Sequence, residues 1–462
     1  MDIHGKSLTQ LKKAIDSKEI SPSELREYFM KRIEKHNPDL NIYLTLNEDQ
    51  SFTEGGPLSG LTIAIKDNFS TKNLRTTAAS KVLEQFIPPY DSTVARRLKE
   101  AGVDILGKTN MDAWAHGSSG ETSAYGPTKN PWNTDYAPGG SSSGSAAAVA
   151  SYLAPAAIGS ETAGSIRIPA SWSGVIGLKP TYGRVSRYGV AAMGSSLDSP
   201  GPLTTTVEDA ALLLSVIAGK DPYDGTSLDA PTDDYTTEMK NGKKFTIGVP
   251  KAYFEGATDD VKTAIEASIK TLEKMGHKVK DIDLMSPDYA ISIYTIIQRA
   301  EVSSNLAGFH GVRYDSGRDK MGMEAKKRIM LGAYTLAHGY YDAFYKKALK
   351  VRTLLVEDFK RAFTEVDLIA GPVAPITAIK LGEFEQYPFF GELMDKLNEP
   401  SSIAGLPAVS LPVGVDSKGL PIGLQLIANY IRESDLLDIS YQYEQETDFN
   451  GVIKQGLDKW KD

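Results

Sequence analysis

The chain has 462 residues, 41% of them hydrophobic and 24% charged, enough for a large buried core in one or more domains. A net charge of −8 argues against nucleic-acid binding through a broad basic face, and the absence of cysteine excludes disulfides, a thiolate nucleophile and cysteine-ligated metal. The start MDIHGKSLTQ lacks the apolar core of a signal peptide, and no run of about 18 apolar residues reads as a membrane span, so a cytoplasmic protein without a membrane partner is expected.

Residues 7–37 read as two helices, the second capped by Ser21 or Ser23. The polar stretch 48–60 reads as a loop. LTIAIKDN (61–68) alternates and predicts a strand; a helix ending at Gly102 and a strand over 103–110 follow. Residues 115–145 are rich in Gly, Ser, Thr, Asn, Pro and Tyr with little periodicity, which in a compact chain marks a functional or disordered segment; the aromatics favour order. SAAAVASYLAP (145–155) predicts a helix buried all round. Thr206 and Asp209 make a capping-box-like start for a helix ending at Gly219.

FTIGVP, a helix with Val261, Ile265, Ile269, Leu272 and Met275 on one face, and HKVKDIDL form a βαβ unit whose strands should be parallel. Residues 339–372 predict a long helix feeding a strand. AVSLPVGV and PIGLQLIAN flank the turn DSKG and predict a hairpin. The α/β alternation never resets and no internal repeat is seen, so one α/β domain is expected.

The segment 102–109, GVDILGKT, matches the phosphate-loop pattern, but its four intervening residues Val103, Asp104, Ile105 and Leu106 are strand formers, so it reads as a strand end with Lys108 in ordinary polar contacts. GGSSSG (139–144) precedes a helix and could cradle an anion or simply cap that helix with its serines. GSETAGSIRIP (159–169) crowds small residues around Ser165, which suits converging backbone N–H groups as well as a plain tight turn. A serine nucleophile needs a base. Of the histidines, His116 borders the Gly/Ser segment and is the best placed, although a loop histidine bonded to backbone is the ordinary reading. Lys66 ends an apolar strand, where burial would lower its pKa and make it a base; a structural lysine is the plain alternative.

Together these stretches resemble the amidase signature family, through GGSSSGSAAAVA followed by GSETAGSIRIPASWSGVIGLKPTYGRVS, with agreeing spacing from Lys66 to Ser141 to Ser165. Further stretches, KTNMDAWAHGSS, SRYGVAAMGSSLDSPGPL, KKRIMLGAY and GYYDAFYKKALKVRTL among them, are similar to the family's glutamine-hydrolysing subunits of tRNA-dependent amidotransferases and cover nearly the whole chain.

The resemblance implies a single domain over 1–462, with a central mixed sheet covered by helices on both faces, a helical N-terminal segment over about 7–37 and a signature core over about 61–190. It implies Ser165 as nucleophile, Ser141 beside a cis peptide bond as the bridging serine, and Lys66 as base. The backbone of Thr162, Ala163, Gly164 and Ser165 would form an oxyanion hole, and Tyr294, Arg328 and Asp395 would bind glutamine. It implies no cofactor in this chain, ATP and Mg²⁺ in a partner subunit, assembly with subunits B and C into a heterotrimer, and Glu-tRNA(Gln) met mainly through that partner.

Departures from the family pattern are Ala163 for a glycine, GGSSSG for GGSSGG, Trp172 and Ser173 for the common Phe–Cys pair, and short loops before the first signature strand and over 313–327. They leave the triad intact and fall around the acyl pocket. The competing readings are a stand-alone amidase for aryl, aliphatic or peptide amides, which shares the triad, and a binding protein without catalysis, which the intact triad argues against.

Overall fold

The computed structural model describes residues 2–49, 55–309, 317–387, 389–447 and 449–461. Parts of the two expected loops, 50–54 and 313–316, lie outside these residues, as does His310. Eleven strands form one mixed sheet: β1 (Tyr43–Leu46), β2 (Thr62–Lys66), β3 (Asp104–Thr109), β4 (Ala156–Glu161), β5 (Ile176–Lys179), β6 (Ser199–Thr204), β7 (Thr246–Pro250), β8 (Lys278–Ile282), β9 (Leu368–Pro372), β10 (Ala408–Val415) and β11 (Pro421–Ala428). Their spatial order is β1-β3-β2-β4-β6-β5-β10-β11-β9-β7-β8. β2 runs parallel to β3 and β4, and β7 parallel to β8 and β9; the other pairs are antiparallel. The expected βαβ unit and the β10–β11 hairpin are both present.

The first two helices, Leu8–Asp16 and Pro22–Leu40, start on reciprocal capping boxes, Ser7 with Gln10 and Ser21 with Glu24. Ser21 is thus the cap, and the second helix runs on to Leu40. The third capping site differs from the expectation. Thr206 accepts from the Asp209 N–H, but the Asp209 carboxylate accepts from the backbone of Leu8 and Thr9 and from the Thr9 hydroxyl, tying the first helix to the Val207–Ile217 helix. The long segment 339–372 contains a π-helical stretch over Asp342–Lys346 before its regular helix, Lys347–Ala362, and β9.

Strands β1, β4, β5 and β6 are not predicted by the local pattern. β6 reads SPGPLT, and proline is rare inside a sheet because it cannot donate to a ladder. It is tolerated because β5 pairs with β6 only at Leu203 and Thr204, leaving Pro200 and Pro202 beyond that second ladder. β4 reads AAIGSE and is wholly buried, so it shows no alternation. The helix after GGSSSG is Ser143–Ala150, shorter than the 145–155 expected. Small residues on all its faces let it sit buried throughout.

Candidate active site

Lys66 is the last residue of β2 and its side chain is fully buried. Its Nζ lies 2.9 Å from Ser141 Oγ, 2.9 Å from Ser142 Oγ, and 3.0 and 3.1 Å from the carbonyl and hydroxyl oxygens of Ser160 on β4. Burial lowers its pKa to about 7, against the opposing pull of Asp112, Asp198 and Glu161.

The peptide bond Gly140–Ser141 is cis. Gly140 is obligatory for space: a Cβ there would lie 1.9 Å from Asp112 Oδ2. Asp112 in turn accepts from the Gly120 N–H and from the N–H and hydroxyl of Thr122, folding the 112–122 segment against Ser141. The Gly/Ser/Tyr-rich stretch is therefore an ordered wall of the site. Its serines do not cap the following helix: Ser142, at the cap position, makes no side-chain cap bond and donates instead to the Ser160 carbonyl.

Ser165 follows β4 in the turn 162–165, nearly buried, with its carbonyl accepting from the Ser142 N–H at 3.1 Å. Among the described residues no hydrogen bond joins the Ser141 and Ser165 side chains; the two serine segments meet through backbone. The turn is clamped from outside. Glu161 accepts from the backbone N–H groups of Ile166 and Arg167 and forms an ion pair with the Arg167 guanidinium, both side chains fully buried. Arg167 also donates to the Ala163 and Asn398 carbonyls and to Ser401, Ser402 and Gln425. With the Ala163 carbonyl taken by Arg167 and Ser402, the N–H groups of Thr162, Ala163, Gly164 and Ser165 have no acceptor among the described residues. Such a cluster of unpaired N–H groups is an anion-binding arrangement.

The three expected glutamine contacts are buried together, not on the helix surface or a loop. Tyr294 lies on the Pro287–Asn305 helix, Arg328 on Met323–Leu336, and Asp395 ends Phe390–Asp395. Each acts electrostatically on the others: Tyr294 feels Asp395 and Arg328, and Asp395 feels Arg328. Glu324 accepts from Arg328 Nε at 2.7 Å. Asp395 Oδ2 accepts from Ser118 Oγ at 3.0 Å, while Oδ1 is buried with no partner among the described residues. That free oxygen faces the turn, since a Cβ on Gly164 would stand 2.7 Å from it. Burial pushes the Asp395 pKa up to about 7; a ligand ammonium at Oδ1 would restore the carboxylate.

His116 departs from the ordinary reading, for its fully buried ring has no hydrogen-bond partner at either nitrogen among the described residues. Lys108 behaves as a strand lysine, donating to the Phe69 carbonyl, Thr71 and Thr76, and Asp104–Thr109 is a strand with no phosphate loop. Sequence reasoning missed Asp112, Ser118, Ser142, Glu161 and Arg167, and also Gln298 and Glu399, whose buried side-chain polar atoms lack partners among the described residues. The available signal was Arg167 itself, two residues after Ser165 in an apolar helix start, where a charge demands a buried partner. No cluster of three or more His, Asp or Glu side chains among the described residues is arranged to hold a metal ion.

Comparison with known proteins accords with this geometry. The family model described as Amidase matches residues 24–437. The chain is 48% identical to the A subunit of glutamyl-tRNA(Gln) amidotransferase from Halothermothrix orenii, over 96% of this chain and 98% of that protein. The crystal structure of the same-named protein from Thermotoga maritima superposes with a TM-score of 0.84 at 38% identity, covering 95% of this chain and 94% of that one. A 6-aminohexanoate cyclic dimer hydrolase superposes with a TM-score of 0.88 at 26% identity, covering 98% and 99%.

Proposed function

The chain belongs to the amidase family, and from that premise we propose that it is the glutamine-hydrolysing A subunit of a glutamyl-tRNA(Gln) amidotransferase, releasing ammonia through Lys66, Ser141 and Ser165. The observation that carries the reading is the fully buried Lys66 amine, 2.9 Å from Ser141 Oγ and beside the turn that holds Ser165.

The proton inventory fits a neutral amine. Ser142 commits its proton to the Ser160 carbonyl, so it accepts from Lys66; the Ser160 carbonyl also accepts. A neutral lysine has two N–H groups to share among these two acceptors and the Ser160 hydroxyl at 3.1 Å, and a lone pair for the Ser141 proton. Ser165 then passes its proton to Ser141 as its Oγ attacks the side-chain amide carbon of glutamine. The oxyanion is held by the N–H groups of residues 162–165, a kind of stabilisation whose loss typically costs about 2.7–4 kcal/mol. The C–N bond breaks as the relay returns a proton to the leaving nitrogen, and ammonia departs. Water, deprotonated by the same relay, cleaves the glutamyl ester to glutamate and regenerates Ser165.

Glutamine is the donor in this reading because Arg328 suits an α-carboxylate, Asp395 Oδ1 an α-ammonium, and Tyr294 the wall between them. The ammonia goes to a B subunit that binds Glu-tRNA(Gln), ATP and Mg²⁺, with a C subunit completing the complex; the net charge of −8 accords with little tRNA contact here. One catalytic domain spans 1–462, its helical entry over about 7–37 and its core over about 61–190. Among the described residues no helix is long and apolar enough to cross a membrane, and the cytoplasm is the proposed location.

The test is ammonia release from glutamine and from simple aryl, aliphatic and peptide amides by wild type, Ser165→Ala and Arg328→Ala, with and without subunits B and C. Glutamine-selective release that needs both residues and rises with the partners supports the reading. Turnover of simple amides indifferent to Arg328 and to partners would replace it with a stand-alone amidase.

A further inference from the structure

His116 has no part in the relay, yet its segment is tied to both the bridging serine and the substrate-binding set. It directly follows the short Ala113–Ala115 turn, its carbonyl accepts from Thr122 Oγ1, and two residues on Ser118 donates to Asp395. The Ser118 carbonyl accepts from the N–H of Gly140, next to Ser141. The stretch 116–118 thus joins the bridging serine to the substrate-binding set. The imidazole is fully buried, and among the described residues neither Nδ1 nor Nε2 has a partner. A neutral imidazole offers one N–H donor and one acceptor, and leaving both unmade in a buried site is costly unless a ligand completes them.

The charges acting on the ring say what kind of ligand fits. They are the guanidinium groups of Arg328 and Arg299, which with burial hold the histidine neutral. Glu324 engages Arg328 through Nε, and Glu392 pairs with Arg299 at 2.5 Å while Arg299 Nε is buried without a partner among the described residues. The Glu399 carboxyl also feels both guanidinium groups, but burial raises its pKa well above the usual range and favours its neutral form. A cation is disfavoured beside two guanidinium groups. A carboxylate is favoured by both and accepts an N–H from the ring.

We propose that His116 is a second anchor for the α-carboxylate of the acyl donor, donating a ring N–H to one carboxylate oxygen while Arg328 holds the charge. The inference rests on the reading of glutamine as donor. The test compares glutamine with 4-aminobutanamide, which is glutamine without its α-carboxylate, using wild type, His116→Leu and His116→Gln. Ammonia release gives kcat and KM for each, with Ki as a competitor of glutamine standing in if the analogue is not turned over.

His116→Leu should raise KM for glutamine on the order of tenfold, as expected for losing a hydrogen bond to a charged group, with kcat within about twofold. The analogue's constant should stay within about twofold, and His116→Gln, which restores an N–H donor, should recover most of the loss. Equal effects on both compounds, or an unchanged KM for glutamine, overturn the anchor while leaving the proposed function standing. A wild type that hydrolyses neutral amides but not glutamine overturns both.

Discussion

The protonation of Lys66 makes the sharpest prediction. Its side chain is fully buried, and desolvation brings its pKa from the usual 10.5 down to about 7, with Asp112, Asp198 and Glu161 opposing the fall. The neutral amine is the active form, so activity rises with pH. At pH 6 roughly one molecule in ten carries it, and above pH 8 roughly nine in ten do, from a pKa of about 7. With chemistry rate-limiting and glutamine saturating, the bound ammonium already holds Asp395, whose pKa is itself about 7 in the free protein, as its carboxylate. Then log kcat for ammonia release should climb with unit slope to near pH 7 and level off above it, an increase of roughly tenfold from pH 6 to the plateau. Lys66→Met, similar in length and uncharged, leaves no unpaired buried charge and should fold. It should lose about 10²–10⁴-fold in rate, the usual contribution of a general base, and with it the inflection. The assay is coupled ammonia detection under single-turnover conditions from pH 5.5 to 8.5. A flat wild-type profile, or a Lys66→Met protein with the same inflection, would refute the lysine base.

Ser165→Ala should abolish turnover while leaving the thermal transition in place, and glutaminase activity surviving in it would sink the mechanism. Glu161→Gln breaks a fully buried ion pair with Arg167 and should cost about 3–5 kcal/mol. For 462 residues at about 2.1 cal/mol/K each, that is a fall in Tm of roughly 3–5 °C, and an unchanged melting curve would show that the clamp contributes little. Gly164→Ala places a Cβ 2.7 Å from both Asp395 Oδ1 and Ile168 Cδ1. Overpacking of this kind costs about 1–3 kcal/mol, and displacement of Asp395 should raise KM for glutamine several-fold; wild-type kinetics in this variant would argue that Asp395 does not face the substrate.

The helices with clear caps and faces, the βαβ unit and the hairpin were readable from local pattern, because capping and periodicity are short-range properties. Lys66, Ser141 and Ser165 were singled out by resemblance to a family's motifs, while local pattern alone left the lysine a structural alternative, the GGSSSG serines a capping role and Ser165 a plain turn. β2, which ends at Lys66, was readable from local pattern too, but two other strands beside the site were not. β4 is buried on both faces and shows no alternation, and β6 holds two prolines whose tolerance depends on where β5 stops pairing.

What the sequence by itself determined is the chemistry available: a strand-end lysine, two serines at fixed spacing, and a turn whose side chains are too small to block its N–H groups. Tertiary structure alone decided how that chemistry is held. Asp112 fills the space beside Gly140, Glu161 and Arg167 brace the turn against residues more than two hundred positions away, and Asp395 meets Gly164 across the pocket. The buried imidazole of His116 likewise acquires its meaning only beside Arg328 and Arg299. These contacts join distant segments, and burial sets both the proton affinity of Lys66 and the free valences of His116. Neither contact nor burial is a property of any stretch of chain read alone.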